Sequence, residues 1–177
     1  MKRLAPLIFV LLFPFILMVA CGNLKTEDQL FSEIEKFKSE EKLVDATKAM
    51  EQFVEHFPES ERRSPMMKEL AILYVGSARD FRKAIELYKQ MQEEYPSDTS
   101  LVAQCQFMTG YIYANDLQEY DNARIEYEKF LKLFPNNELA DDVQWELRNL
   151  GKDLSQIELF PATEENGSNG QKNAAEK

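Results

Sequence analysis

The chain has one histidine, two cysteines and six scattered glycines among its 177 residues. A single histidine, His56 at the end of a predicted helix, excludes the clustered imidazoles of a zinc or di-metal centre. No glycine-rich stretch opens a helix, so there is no loop to cradle a phosphate, and no nucleophile motif is present. Adjacent carboxylates occur at Glu40-Glu41, Glu93-Glu94 and Asp141-Asp142. Glycoside hydrolysis needs two carboxyls facing each other across a cleft, whereas neighbours on a helix point apart. These pairs therefore read as solvated acidic faces. The sequence implies no enzyme, no cofactor and no small-molecule substrate.

Basic charge is also scarce: Lys and Arg number 21 against 31 Asp and Glu, a net charge of −10. That excludes a nucleic-acid partner, because phosphate neutralisation by Lys and Arg supplies most of such affinity. It equally excludes a body lying flat on anionic lipid, which requires a basic face. No segment alternates strictly between apolar and polar residues within turn boundaries, so no sheet is expected.

One long apolar run is present. Met1-Lys2-Arg3 is a cationic start, and Leu4 to Ala20 follows without a charged residue. Two prolines, and a length short of the roughly 20 residues that a bilayer span needs, make it a poor membrane helix but a good secretory signal. Met18-Val19-Ala20-Cys21 resembles the bacterial lipobox, with Met18 where leucine is usual. The resemblance implies cleavage before Cys21, diacylation of its sulfur, and a chain held to a membrane by acyl groups. Residues 1–20 are then the signal peptide and 21–25 a lipidated tether. Losing Lys2 and Arg3 takes the charge from −10 to −12. With Cys21 in a thioether, Cys105 has no partner and reads as a small buried core residue.

From residue 26 to about 155 the pattern is helical. Thr26-Glu27-Asp28-Gln29 is a capping box, followed by Leu30, Ile34 and Phe37 on one face. Further helices are expected from about Lys42 to Phe57, after a Ser64-Pro65 cap, after Asp80, after Asp98, from about Glu119 to Phe134, and from about Glu138 to Leu150. Trp145 is expected in the core of the last helix or as a cover over what precedes it. Residues 156–177 are expected to be a disordered tail, because from Pro161 onward the chain has no aromatic or branched aliphatic residue to bury.

Within the helical region one frame recurs three times. It reads Ala46, Met50, Phe57-Pro58; Ala84, Tyr88, Tyr95-Pro96; and Ala123, Tyr127, Phe134-Pro135. The closing prolines, Pro58, Pro96 and Pro135, recur at almost equal intervals that fall within the range of stacked helical arrays. Alanine permits close approach of two helix axes, the residue four later fills the space beside it, and proline ends the helix.

The frame resembles the second helix of the tetratricopeptide repeat. Leu43, Phe81 and Tyr120 stand at the aromatic position three residues before each alanine. Ala71 with Tyr74 and Gly110 with Tyr113 match the small residue and tyrosine of the family's first helix, if the connection is one residue longer. The resemblance implies an all-α tetratricopeptide-repeat solenoid of about three helix pairs plus a C-terminal capping helix. Its period exceeds the family's usual one of about 34 residues, implying longer helices. The phrases after the prolines are similar to those of envelope lipoproteins typified by the D subunit of the outer-membrane β-barrel assembly machine. They are also similar to the C-terminal domain of the periplasmic coordinator of the Tol–Pal system.

What these resemblances imply is a non-enzymatic scaffold for protein partners in the cell envelope, anchored in the outer membrane through acylated Cys21 and facing the periplasm. Barrel assembly is the leading pathway. A Tol–Pal-type coordinator and an uncleaved, signal-anchored periplasmic adaptor are the alternatives. In the repeat family the first helix of each pair lines the concave face. Setting Ala71 and Gly110 at the small position puts Lys68, Ile72 and Val75 on that face from one helix, and Gln104, Phe107 and Tyr111 from the next. Two readings stand for Phe107 and Tyr111, a partner groove or ordinary core packing.

Overall fold

The structure, a computed structural model, describes residues 24–156. The expected signal peptide of residues 1–20, the expected lipidation site Cys21 and the expected tail over residues 157–177 lie outside the described residues. Seven α-helices follow one another, and no strand occurs among the described residues. They are α1 (Glu27–Ser39), α2 (Leu43–His56), α3 (Arg63–Leu73), α4 (Phe81–Glu94), α5 (Thr99–Tyr111), α6 (Tyr120–Leu133) and α7 (Ala140–Asn149). A single 3-10 turn, Leu154–Gln156, comes last. Each helix packs against the next, so α1/α2, α3/α4 and α5/α6 form three stacked pairs and α7 lies on α6. This is the expected all-α solenoid.

Local signals set most boundaries. Thr26 forms a complete capping box with Gln29, and the carboxylates of Asp80 and Asp98 accept from the backbone N–H groups of Lys83 and Leu101. The start of α3 differs from the Ser64-Pro65 expectation. The helix begins at Arg63 with Arg62 as its cap, and Pro65 is its third residue. Pro65 is tolerated there because the first-turn N–H groups have no intrahelical acceptor in any case.

The recurring frame behaves as its chemistry requires. Ala46, Ala84 and Ala123 are fully buried, and Met50, Tyr88 and Tyr127 lie beside them in the core. Each such large side chain stabilises the array by roughly 1.5–3 kcal/mol on burial. Phe57, Tyr95 and Phe134 all leave the helix at φ near −121° to −131° and ψ of 50–62°, their N–H groups still bonded four residues back. The prolines that follow cannot continue the ladder. By contrast, the position three residues before each alanine is peripheral. Leu43 and Tyr120 are exposed, and Phe81 is half-buried under the Arg79 guanidinium, 5.0 Å from its ring centre.

The long period has a local cause. Both α3 and α5 widen into a π turn, Tyr74–Ala78 and Ile112–Asp116, before the chain reverses. The N–H groups of Asp80 and Glu119 close these turns on the carbonyls of Tyr74 and Tyr113, at 2.8 Å each. The extra length therefore sits in the connection and not in the helices alone. A left-handed residue ends each reversal: Glu41 (φ 55°), Arg79 (φ 52°) and Gln118 (φ 54°). A non-glycine residue there is strained by about 1–2 kcal/mol, against about 0.5–1 kcal/mol of extra entropy lost by glycine. Gln118→Gly is thus expected to stabilise the fold by about 0.5–1 kcal/mol. A higher thermal midpoint, with Gln118→Val moving it down, checks this.

Polar links join successive pairs. Arg62 donates to Asp28 at 2.8 Å and lies over the Phe31 ring, tying α3 to α1. Lys38 of α1 meets Glu69 of α3 at 2.6 Å. Glu51 of α2 accepts from the Tyr74 hydroxyl and from Lys83 of α4, while Lys89 of α4 reaches Glu126 of α6 at 3.1 Å. Buried Gln106 donates to the Glu126 carboxylate at 2.6 Å and to its carbonyl at 2.9 Å. Trp145 is not a core residue: it is 37% exposed, on the flank of α7.

Candidate protein-interaction site

A groove of about 590 Å³ runs between α3 and α5. Ser64, Lys68 and Ile72 line it from α3 at four-residue spacing, and Ser100 and Gln104 line it from α5. Leu101, almost fully buried, forms its floor. The ion pairs that bind α1 to α3 have no counterpart between α3 and α5 among the described residues.

Its charges are unevenly engaged. Asp98 at one end is occupied as the cap of α5, and Glu69 is held by Lys38. Lys68 forms no ion pair among the described residues, and Ile72 beside it is 62% exposed. The groove thus offers one cation, an amide and two hydroxyls around an uncovered aliphatic side chain. That mixture suits a polypeptide segment, which brings both apolar side chains and backbone acceptors.

The six residues singled out from the sequence divide here. Lys68, Ile72 and Gln104 converge on the groove. Val75 and Phe107 are half-buried against the core, with the Phe107 ring 6.3 Å from the ring of Tyr127 and 6.0 Å from that of Tyr111. Tyr111 is 37% exposed but does not line the groove. Leu101, Ser64 and Ser100 went unnoticed as lining. Ser64 reads in the sequence only as a helix cap, and nothing in the pattern marks Ser100 or Leu101 as lining.

The remaining reactive groups are engaged or isolated. Cys105 is buried, and burial pushes its thiol up to about 12, which leaves almost no thiolate at neutral pH. His56 is exposed at the end of α2, and no group of three or more metal-ligating side chains occurs among the described residues. Of the adjacent carboxylates, Glu94 is drawn aside by Arg63, while Asp141 and Asp142 face solvent in the first turn of α7. No helix among the described residues is long and apolar enough to cross a membrane.

Residues 104–137 match the family model of the tetratricopeptide repeat. The match runs from Gln104 in the groove through α5, its π turn and α6 to just past the closing Phe134-Pro135. No curated protein and no solved structure matches the chain. Fold and match together describe a tetratricopeptide-type α-solenoid, an architecture whose repeats typically hold other proteins.

Proposed function

We propose that this tetratricopeptide-type array is a membrane-anchored, non-enzymatic scaffold that captures a protein segment in the groove between α3 and α5. The observation that carries the reading is the pairing of a cation without an ion-pair partner among the described residues, Lys68, with the uncovered side chain of Ile72 on one helix face. The captured segment lays an apolar side chain on Ile72 and presents acceptors to Lys68 and Gln104.

Anchoring is the part of the proposal that rests on sequence: a secretory leader ending in a lipobox-like Met18-Val19-Ala20-Cys21. Lys25 is already tied to Glu33 of α1, so Gly22 to Leu24 is all that separates an acylated Cys21 from the folded body. Three or four residues reach about 10–14 Å when extended, which holds the first helix pair against the lipid surface. Such a scaffold is suited to envelope biogenesis, with outer-membrane barrel assembly the first pathway to test.

A photo-activated cross-linking residue at Gln104 tests the groove, with exposed Ile125 on α6 as the control position. The scaffold reading expects a discrete membrane-protein adduct at Gln104 but not at Ile125, abolished by Ile72→Asp without loss of thermal stability. Adducts at both positions, or adducts indifferent to Ile72→Asp, overturn it. Identification of the adduct as a barrel-assembly component favours that pathway, and a Tol–Pal component favours a coordinator. Labelling with a radioactive fatty acid, lost in Cys21→Ala, tests the anchor separately from an uncleaved leader.

A further inference from the structure

No further helix pair follows α7 among the described residues, and a cleft lies open between the α5–α6 connection and the end of α7. Its volume of about 240 Å³ falls below the roughly 300–1,000 Å³ of small-molecule sites, a size for one or two large side chains. Two aromatic residues line it, Tyr120 at the start of α6 and Trp145 on α7. Both are uncovered, 40% and 37% exposed. Asn115, Glu146, Asn149 and Lys152 supply most of its polar lining.

The polar groups are arranged to accept. Asn149 gives an amide hydrogen to the Trp145 carbonyl at 2.9 Å, and Asn115 gives one to the Tyr111 carbonyl at 3.2 Å and one to Glu146. With those hydrogens committed, the amide oxygens remain to receive a donor. One already does: the Lys152 ammonium stands 3.3 Å from Oδ1 of Asn149. Glu146, by contrast, is partly buried and meets no cation among the described residues. Burial pushes its carboxyl above the ordinary 4.5, the Asn115 hydrogen bond opposes that only in part, and Asp142 one turn earlier adds to the rise. A carboxylate so placed repels an anion and is stranded by an apolar side chain, whereas a cation completes it. Among side-chain cations, only guanidinium joins a flat face for an indole ring to a fork of N–H donors for a carboxylate.

We propose that this cleft binds an arginine side chain of a protein partner, with the guanidinium on the Glu146 carboxylate and the Asn115 amide oxygen and its flat face on the Trp145 ring. Lys152 stays on Asn149 and leaves the Glu146 end to the incoming cation. The site stands apart from the groove between α3 and α5 and does not rest on what that groove captures.

Trp145 is the sole tryptophan and therefore reports the cleft without labelling. The test titrates the full chain, in mild detergent at physiological salt, with acetylated and amidated hexapeptides of arginine, lysine and citrulline, the last an uncharged isostere. A saturable change in Trp145 emission is expected with the arginine peptide, at clearly lower concentration than with lysine, and none with citrulline. Glu146→Gln is expected to weaken arginine binding about tenfold. Glu128→Gln, which removes the same charge from an exposed position on α6, is expected to change it by less than about twofold. Glu146→Gln should also leave the thermal midpoint unchanged or higher, since the carboxylate it removes has no cation to hold. Equal binding of the citrulline or lysine peptide by the unaltered chain overturns the proposal. Equal losses in Glu146→Gln and Glu128→Gln overturn it too, because the attraction is then to net charge alone. A response abolished by Ile72→Asp moves the binding to the other groove and likewise overturns it.

Discussion

Replacing Gly110 with alanine is expected to destabilise the protein by about 1–3 kcal/mol, although alanine is the better helix former by about 1 kcal/mol. A Cβ at Gly110 would stand 2.6 Å from Cε1 and 2.7 Å from Cδ1 of Tyr127. The Tyr127 ring cannot retreat, being fully buried with Phe107 packed against it. The pair joins α5 to α6 within the third helix pair. In the second pair, Ala71 and Tyr88 occupy the same two places, each one period earlier in the chain. Urea unfolding checks the expectation: the midpoint should fall with the slope unchanged. Because the clash lies on ring atoms, Tyr127→Phe should not relieve it. Tyr127→Leu should make the Gly110→Ala change less costly, the signature of two residues in direct contact. Gly76 provides the contrast, since a Cβ there meets nothing within 4 Å. Gly76→Ala should be neutral or stabilising.

Arg63→Ala is the second large effect, expected to cost about 2–3 kcal/mol. Arg63 is 7% exposed and binds three elements together. Its Nε donates to the Val54 carbonyl near the end of α2 at 3.0 Å, and its two terminal nitrogens bind the Glu94 carboxylate at the end of α4. Truncation strands the Val54 carbonyl in a site from which water is largely excluded and leaves Glu94 unpaired. The lower part of the range for a broken buried pair applies because Glu94 is one-third exposed. Lysine cannot reproduce the forked contact, so Arg63→Lys should recover little. The effect also carries a pH signature. The Arg63 hydrogen bond holds the Glu94 carboxyl below its ordinary 4.5. A depressed carboxylate contributes stability that is present above 4.5 and is lost as pH falls through the lower, folded-state value. The gap between wild type and Arg63→Ala should therefore narrow on acidification through that window. Denaturation at a series of pH values reads it directly.

How much of this was legible in the sequence depends on whether a residue acts along the chain or across it. The helices, the Asp80 and Asp98 caps, the buried alanines and the closing aromatics are local, or repeat at a fixed period, and the sequence displays both. Gly110 stood out as a small residue in register with Ala71, but which ring it admits appears only once α6 is folded against α5. Arg63 gave no warning. In the run Glu59 to Arg63 it reads as one more solvated charge, and its burial depends on a carboxylate 31 residues away. Gln106 and Glu126 are alike in this respect, since their bond links two different helices. The groove was half legible. Helical spacing put Lys68 and Ile72 on one face, whereas the separation of Phe107 from the groove follows from where the Tyr127 ring lies. The Ser64-Pro65 start was misread because a serine–proline pair also fits inside a first turn.

Because every helix touches chiefly its immediate sequence neighbours, the described residues close no long loops as they fold. Contacts of this kind pay little loop-closure entropy and favour rapid folding. Folding can begin at any helix pair and spread to both ends, and under tension the array should peel unit by unit rather than rupture at once. An array built this way would yield first at whichever terminus is pulled.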